Sequence, residues 1–232
     1  MFFIRHKDTD LNNSEIHRFR QLTNKIKGLI IDSWPIDLLL QQNPVKTAPV
    51  KILKTHNYNV VTIIASTNRY GSSTLKLAEY YQKKLSAKGA EANLLSLTQL
   101  PPNLIETDLY GKRSPEFDEI QKIITATDKF LFIIPEYNGS FPGVLKVFID
   151  ACSFPESFYD KKAALVGLSS GKYGNIRGID HFTGVCHYLN LHVMPLKLHI
   201  ANIRKEFDET GNLSQPDTIK FTDEQIDKFI KF

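Results

Sequence analysis

From Val60 onward the apolar residues fall into two alternating kinds of run. Val60 to Ala65, Glu91 to Leu97, Asp128 to Ile134, Ala163 to Leu168 and His192 to Leu198 are short and rich in bulky or β-branched side chains, the mark of buried strands. Between them apolar positions recur at helical spacing. Leu75, Ala78, Tyr81 and Leu85 form one such face, closed by Lys88-Gly89, a cationic last turn and a glycine stop. Ile120, Ile123 and Ile124 mark a helix over Glu116 to Thr127, and Leu145, Phe148 and Ile149 one over Pro142 to Cys152. Ile179, Phe182, Val185, Cys186 and Leu189 mark a fourth helix. A closing helix is expected over Phe221 to Phe232, with Thr222 as its cap. Strands alternating with helices predict an α/β fold, a doubly wound parallel sheet with helices on both faces. The stretch from Thr98 to Pro115, with Pro101-Pro102 and Gly111, breaks the rhythm as a long irregular connection.

Residues 1–59 read differently. Ile16, Phe19, Leu22, Ile26, Leu29 and Ile30 suit one face of a helix opening near Ser14, but Pro35, Pro44 and Pro49 then interrupt any regular pattern. The expected division is an N-terminal extension, 1–59, and a single α/β domain, 60–232. Charge divides at the same place: the extension carries 9 Lys and Arg against 5 Asp and Glu, and the remainder 20 against 20. The formal net charge of +4 thus belongs to the extension, and the domain offers no basic face for nucleic acid. No stretch is long and apolar enough to span a membrane, and Arg5, His6, Lys7 and Asp8 cut short any secretory signal. Cys152 and Cys186 have no metal-ligand spacing and read as buried thiols of a reducing cytoplasm. His181, His187, His192 and His199 share no ligand spacing either.

Candidate chemistry lies in the polar loops after strands one, three and four. All strands of a parallel sheet end at the same edge, so these loops can converge on one ligand. Ser66-Thr67-Asn68-Arg69-Tyr70-Gly71-Ser72-Ser73-Thr74 combines hydroxyls, a cation and a helix N-terminus, a donor set for phosphate. Taken alone it equally suits a serine-rich helix cap. It has neither the Gly-Lys-Ser/Thr ending of a P-loop nor a GxGxxG fingerprint. Pro135 to Asp150, PEYNGSFPGVLKVFID, breaks from a strand, turns at Asn138-Gly139 and restarts as a helix. Its main-chain donors, residues 136 to 140, are placed to read the edge of a flat polar ring. Ser169 to Arg177 supplies a third glycine-bearing turn.

At these loops the chain resembles the NAD(P)H-dependent FMN reductases, flavodoxin-like enzymes whose relatives include quinone and azo-dye reductases. Thr67, Arg69 and Ser72 match the family's Gly-Ser-x-Arg-x-x-Ser-x-Asn pattern, with Ser66 and Thr74 standing where the family has Gly and Asn. Pro135 to Asp150 matches a second signature almost throughout, and Ser169 or Ser170, Gly171, Gly174 and Arg177 match a third. The resemblance spans about Val60 to Pro195. It implies a five-stranded sheet in the order 2-1-3-4-5, and FMN with its phosphate on Thr67, Arg69, Ser72, Ser73 and Thr74. The ring edge would lie on Pro135, Glu136, Tyr137, Asn138, Gly139 and Ser140 and on Ser170, Gly171, Gly174 and Arg177. It further implies NAD(P)H as substrate, a quinone, flavin or azo-type small molecule as electron acceptor, and a homodimer or homotetramer. No catalytic acid or base is required, because the flavin carries the redox chemistry. The alternative is a flavodoxin-like FMN-binding electron carrier without NAD(P)H turnover; such carriers present a strongly acidic face, which the neutral balance of residues 60–232 lacks.

Overall fold

The computed structural model of the protein describes residues 60–232. The expected helix near Ser14 and the rest of the N-terminal extension lie outside the described residues.

Within 60–232 the strands are β1 (Val60–Ala65), β2 (Glu91–Ser96), β3 (Lys129–Pro135), β4 (Lys162–Leu168), β5 (His192–Val193) and β6 (Leu198–Ile200). The helices are α1 (Ser73–Ala87), α2 (Leu104–Thr107), α3 (Pro115–Ala126), α4 (Gly143–Ala151), α5 (Ile176–Tyr188) and α6 (Pro216–Lys231). The sheet is parallel in the order β2-β1-β3-β4-β5, with β6 also paired to β4. This is the expected order with six strands in place of five.

The sixth strand arises because the expected fifth is split. Between the pairs Ala163↔Val193 and Val166↔Leu198, β4 advances three residues while its partner advances five. Pro195 sits in the gap and has no N–H to give to the ladder. The side-chain amide of Gln225 closes the break, donating from Nε2 to Leu165 O at 3.1 Å and to Leu196 O at 3.0 Å. Its Oε1 accepts the buried Tyr81 hydroxyl at 2.8 Å, so one side chain ties α6 to α1 and to the sheet.

Strand periodicity divides the core into two layers. Phe130, Phe132 and Ile134 of β3 pack with α3, α4 and α5, while Leu131 and Ile133 face α1 and α6. All of β3 is buried, as a central strand covered on both faces must be. Cys186 is buried in the first layer, and burial pushes its thiol up to about 12. Cys152, expected to be buried, is only partly so, yet desolvation still raises its thiol, against the weaker opposing pull of Arg113.

The closing helix starts earlier than its apolar pattern indicates. Pro216 occupies the first turn of α6 after Gln215, which leaves Thr222 buried inside the helix and not at its cap. At the other end Lys129 Nζ donates to Phe229 O and Ile230 O at 3.2 and 2.8 Å, and Lys162 Nζ donates to Phe232 O. Two β-strand lysines thereby satisfy carbonyls that a helix end leaves open. The connection after β2 contains a 3-10 turn, Leu97–Gln99, and the short α2. Asp108 organises its far end, its carboxylate accepting from Ser114 N (2.5 Å) and from the hydroxyls of Ser114 and Thr107.

Candidate functional site

The chain leaves β1 toward β2 and β3 toward β4, in opposite directions across the sheet, so a crevice opens between the carboxyl ends of β1 and β3. Three loops surround it, each fixed by bonds that the sequence does not announce.

Loop one, from Ser66 to Ser72, begins with Ser66 N donating to Ile133 O at 3.0 Å. Ser72 caps α1 by accepting Leu75 N at 3.2 Å. The N–H groups of Ser73 and Thr74 precede the helix ladder and meet no acceptor among the described residues. The first turn of α1 holds no acidic side chain, so the positive end of its dipole is uncompensated from within the helix. Thr67 is buried, and its Oγ1 lies 2.7 Å from the Tyr137 hydroxyl while accepting Arg69 N. Thr67 therefore pins loop one to loop two.

Loop two is a two-residue hairpin turn. Asn138 (φ 53°) and Gly139 (φ 75°) both take left-handed conformations, the demand that makes Asn-Gly the favoured pair there. Tyr137 and Ser140 exchange both backbone bonds, at 2.9 and 3.0 Å, and Glu136 N donates to Leu168 O at 2.9 Å. This corrects the expectation that residues 136 to 140 offer their main-chain donors to a ligand: those of 136, 137 and 140 are spent within the protein. The N–H groups of Asn138 and Gly139 are the ones left. Ser140 Oγ is 3.0 Å from His181 Nδ1.

Loop three is held by Ser169, whose Oγ donates to Gly171 O and accepts from Gly174 N, both at 2.9 Å. Asn175 is buried, has φ 62°, and donates from Nδ2 to Ile134 O at 2.9 Å. At Gly178, in the first turn of α5, a Cβ would lie 2.6 Å from the backbone carbon of Ser140. Only glycine lets α5 approach loop two this closely.

The loops enclose a cavity of about 250 Å³, with Arg69, Ser72, Ser73 and Thr74 along one side and Pro135, Glu136, Tyr137, Ser169 and Ser170 along another. Tyr70 forms part of its wall and also part of a second, more apolar cleft of about 630 Å³, bounded by Leu97, Leu100, Leu104, Val144 and Val147. The first cavity's donor set, hydroxyls, free helix N–H groups and guanidinium, is that of an anion site and fits a phosphomonoester.

The sequence profile described as NADPH-dependent FMN reductase matches residues 59–205, well over half of the chain. The chain belongs to this family. It is 36% identical over 110 residues to a 2-hydroxy-1,4-benzoquinone reductase of a Burkholderia species, a match covering 46% of this chain and 60% of that enzyme. It is 33% identical over 129 residues to an NAD(P)H-dependent FMN reductase of Pseudomonas aeruginosa, covering 54% of this chain and 69% of the other. The chain thus spans less than two thirds of the first of these relatives. In three dimensions it superposes on the apo form of an NADH:FMN oxidoreductase with a TM-score of 0.63 at 20% identity, over 75% of this chain and 89% of that one. At that identity the likeness concerns the fold.

Of the residues expected to bind cofactor in this FMN reductase family member, Arg69, Ser72, Ser73, Thr74, Pro135, Glu136, Tyr137 and Ser170 line the cavity. Thr67, Asn138, Gly139, Ser140, Gly171, Gly174 and Arg177 do not. Thr67 supports Tyr137, and Gly174 packs against the backbone of His199 and Ile200. Arg177 reaches loop two, its Nη1 lying 3.9 Å from where a Cβ on Gly139 would stand. Sequence reasoning missed Ile203 and Arg204, which line the cavity from the segment after β6. Their signal was a basic pair, Arg204-Lys205, just beyond an apolar run ending at the same sheet edge. Among the described residues no group of His, Cys, Asp and Glu is arranged to hold a metal, and no helix is long and apolar enough to cross a membrane.

Proposed function

We propose that the protein is an NAD(P)H-dependent flavin oxidoreductase that uses FMN to reduce a quinone, a flavin or an azo-type small molecule. The observation that carries this reading is the cavity at the β1/β3 crevice, where Arg69, the free N–H groups of Ser73 and Thr74 and the Ser72 hydroxyl converge. Bound FMN would supply the two-electron relay between nicotinamide and acceptor. The chain's own residues bind and orient. Loop one holds the phosphate, and the free N–H groups of Asn138 and Gly139, which lie outside the cavity itself, are the loop-two donors left for a ring edge that extends beyond it. Thr67 and Tyr137 fix the spacing between those loops.

The apolar cleft that shares Tyr70 with the cavity supports a planar, weakly polar acceptor entering beside the cofactor. Exposed Ile105 on its rim and the neighbouring α4 support a homodimer whose second subunit completes that wall. A protein active as a monomer in sedimentation at micromolar concentration would remove that part of the reading. The two unpaired cysteines, Cys152 and Cys186, support a reducing cytoplasm as its location.

The test is anaerobic stopped flow on FMN-loaded protein. NADPH or NADH should bleach the flavin absorbance and a quinone should restore it. Bleaching by a reduced partner protein, with neither nucleotide effective, would reassign the chain as an electron carrier. Arg69→Ala, in an exposed loop position, should lower FMN affinity and leave the fold intact. Full FMN occupancy in that variant would refute the phosphate assignment.

A further inference from the structure

We propose that Arg204 is a specificity-determining second cation of this cavity, matching it to a phosphomonoester dianion and selecting FMN over unphosphorylated riboflavin. The inference rests on the flavin reading above and assigns a residue that lies outside all three signature loops.

Arg204 belongs to the 3-10 turn Ile203–Lys205, which follows β6 at the carboxyl edge of the sheet. That turn is fastened to loop three. Asn202 N donates to Gly171 O at 2.8 Å, Ile203 N to Ser169 O at 3.0 Å, and Lys205 N to Asn202 O at 2.8 Å. The Ile203 side chain, only 3% exposed, plugs the turn into the core. The Arg204 side chain therefore leaves a fixed backbone, and it lines the same cavity as Arg69, Ser72, Ser73 and Ser170.

Neither arginine side chain is engaged elsewhere among the described residues. Among the described residues no carboxylate lies within ion-pair distance of Arg69 or Arg204, although six lysines and a histidine do make such pairs. Glu136, the acidic residue of the cavity wall, pairs with neither. A phosphomonoester carries about −1.5 to −2 charges at neutral pH. Arg69 alone leaves much of that unmatched, and a second guanidinium completes it with a planar fork suited to phosphate oxygens. Riboflavin, which presents only a hydroxyl at that point, gains nothing from the second charge.

The experiment is equilibrium binding of FMN and of riboflavin, by flavin fluorescence quenching, to the full chain and to R204A, R204K and the R69A/R204A pair. R204A should raise the FMN Kd about tenfold, the lower end of what one charge-assisted bond provides because the side chain is exposed. The riboflavin Kd should stay within about twofold, R204K should fall between, and the double variant should discriminate least. An unchanged FMN Kd in R204A would overturn the proposal, as would a parallel loss of riboflavin, which marks a merely structural role. A raised KM for NADPH with an unchanged FMN Kd would overturn it too, assigning the cation to the pyridine nucleotide. If the unmodified chain binds no FMN, the flavin reading itself fails, an outcome distinct from normal FMN binding by both wild type and R204A.

Discussion

Replacing Gly178 by alanine should destabilise the protein, although helix energetics alone point the other way. Alanine is favoured over glycine inside a helix by about 0.8–1 kcal/mol. At Gly178, however, the new Cβ would stand 2.6 Å from the carbonyl carbon of Ser140 and closer still to Asn175 Oδ1. Backbone cannot yield as a flexible side-chain tip does, so either α5 backs away from loop two or Asn175 leaves its left-handed position. Overpacking of this kind costs about 1–3 kcal/mol, and loss of the buried Asn175–Ile134 bond costs about 1–3 kcal/mol more. Net of the propensity gain, the loss should be about 1–5 kcal/mol, the upper part of that range applying if the Asn175 bond breaks as well. Gly184, in the same helix, is the control: a Cβ there meets nothing within 4 Å, so Gly184→Ala should stabilise by up to about 1 kcal/mol. Urea unfolding of both variants measures the difference, and FMN titration should show weaker binding in Gly178→Ala alone. A Gly178→Ala midpoint at or above wild type would refute the reasoning. An equal fall for Gly184→Ala would place the effect in the helix and not in the contact.

Three further outcomes are expected. Tyr137→Phe removes one of the two partners of the buried Thr67 hydroxyl and should cost about 1 kcal/mol, read as a lowered Tm; an unchanged Tm would show that the 2.7 Å bond contributes nothing. Burial pushes the Asp108 carboxyl up, but the bonds from Ser114 and Thr107, with the Arg113 charge, outweigh it and hold the group below the usual carboxylate range. A depressed folded value stabilises above the unfolded value, near pH 3.9, and that contribution is lost as pH falls through the folded value. The stability gap between wild type and Asp108→Asn should therefore be full near neutrality and shrink in acid below about pH 4; a gap constant with pH would contradict this. A chain beginning at Asn59 should fold in one transition and retain FMN, since the sheet, the three loops and the described residues of both core layers belong to residues 60–232; loss of flavin on truncation would give the extension a part in the site.

How much of this was legible in the sequence depended on whether a position is set by local pattern or by distant contact. The buried strands followed from runs such as Phe130 to Ile134, because a central parallel strand tolerates no polar face, whereas their order came from the family resemblance. The split of the fifth strand was only half legible: Pro195 stands in the run, but the Gln225 amide that bridges the break to Leu165 and Leu196 lies about thirty residues or more away in sequence. The start of α6 was misplaced because its apolar face begins later than Pro216. In the site, loop one was readable from hydroxyls and Arg69, which announce their chemistry by type. The commitment of the Glu136, Tyr137 and Ser140 backbones was not, because every residue carries the same main-chain donor and only the fold says which are already taken. Arg204 was overlooked for a related reason: its one signal, the basic pair Arg204-Lys205 after an apolar run, does not say which ligand it serves until the fold puts it on the same cavity as Arg69.

The state of the two cysteines bears on the proposed chemistry. Quinones are electrophiles as well as electron acceptors, and a thiolate adds to them irreversibly. Cys152 and Cys186 are the whole thiol complement of the chain, and burial holds both in the protonated, unreactive form at neutral pH. With the proposed quinone acceptor, thiols held in that form would add to it only slowly.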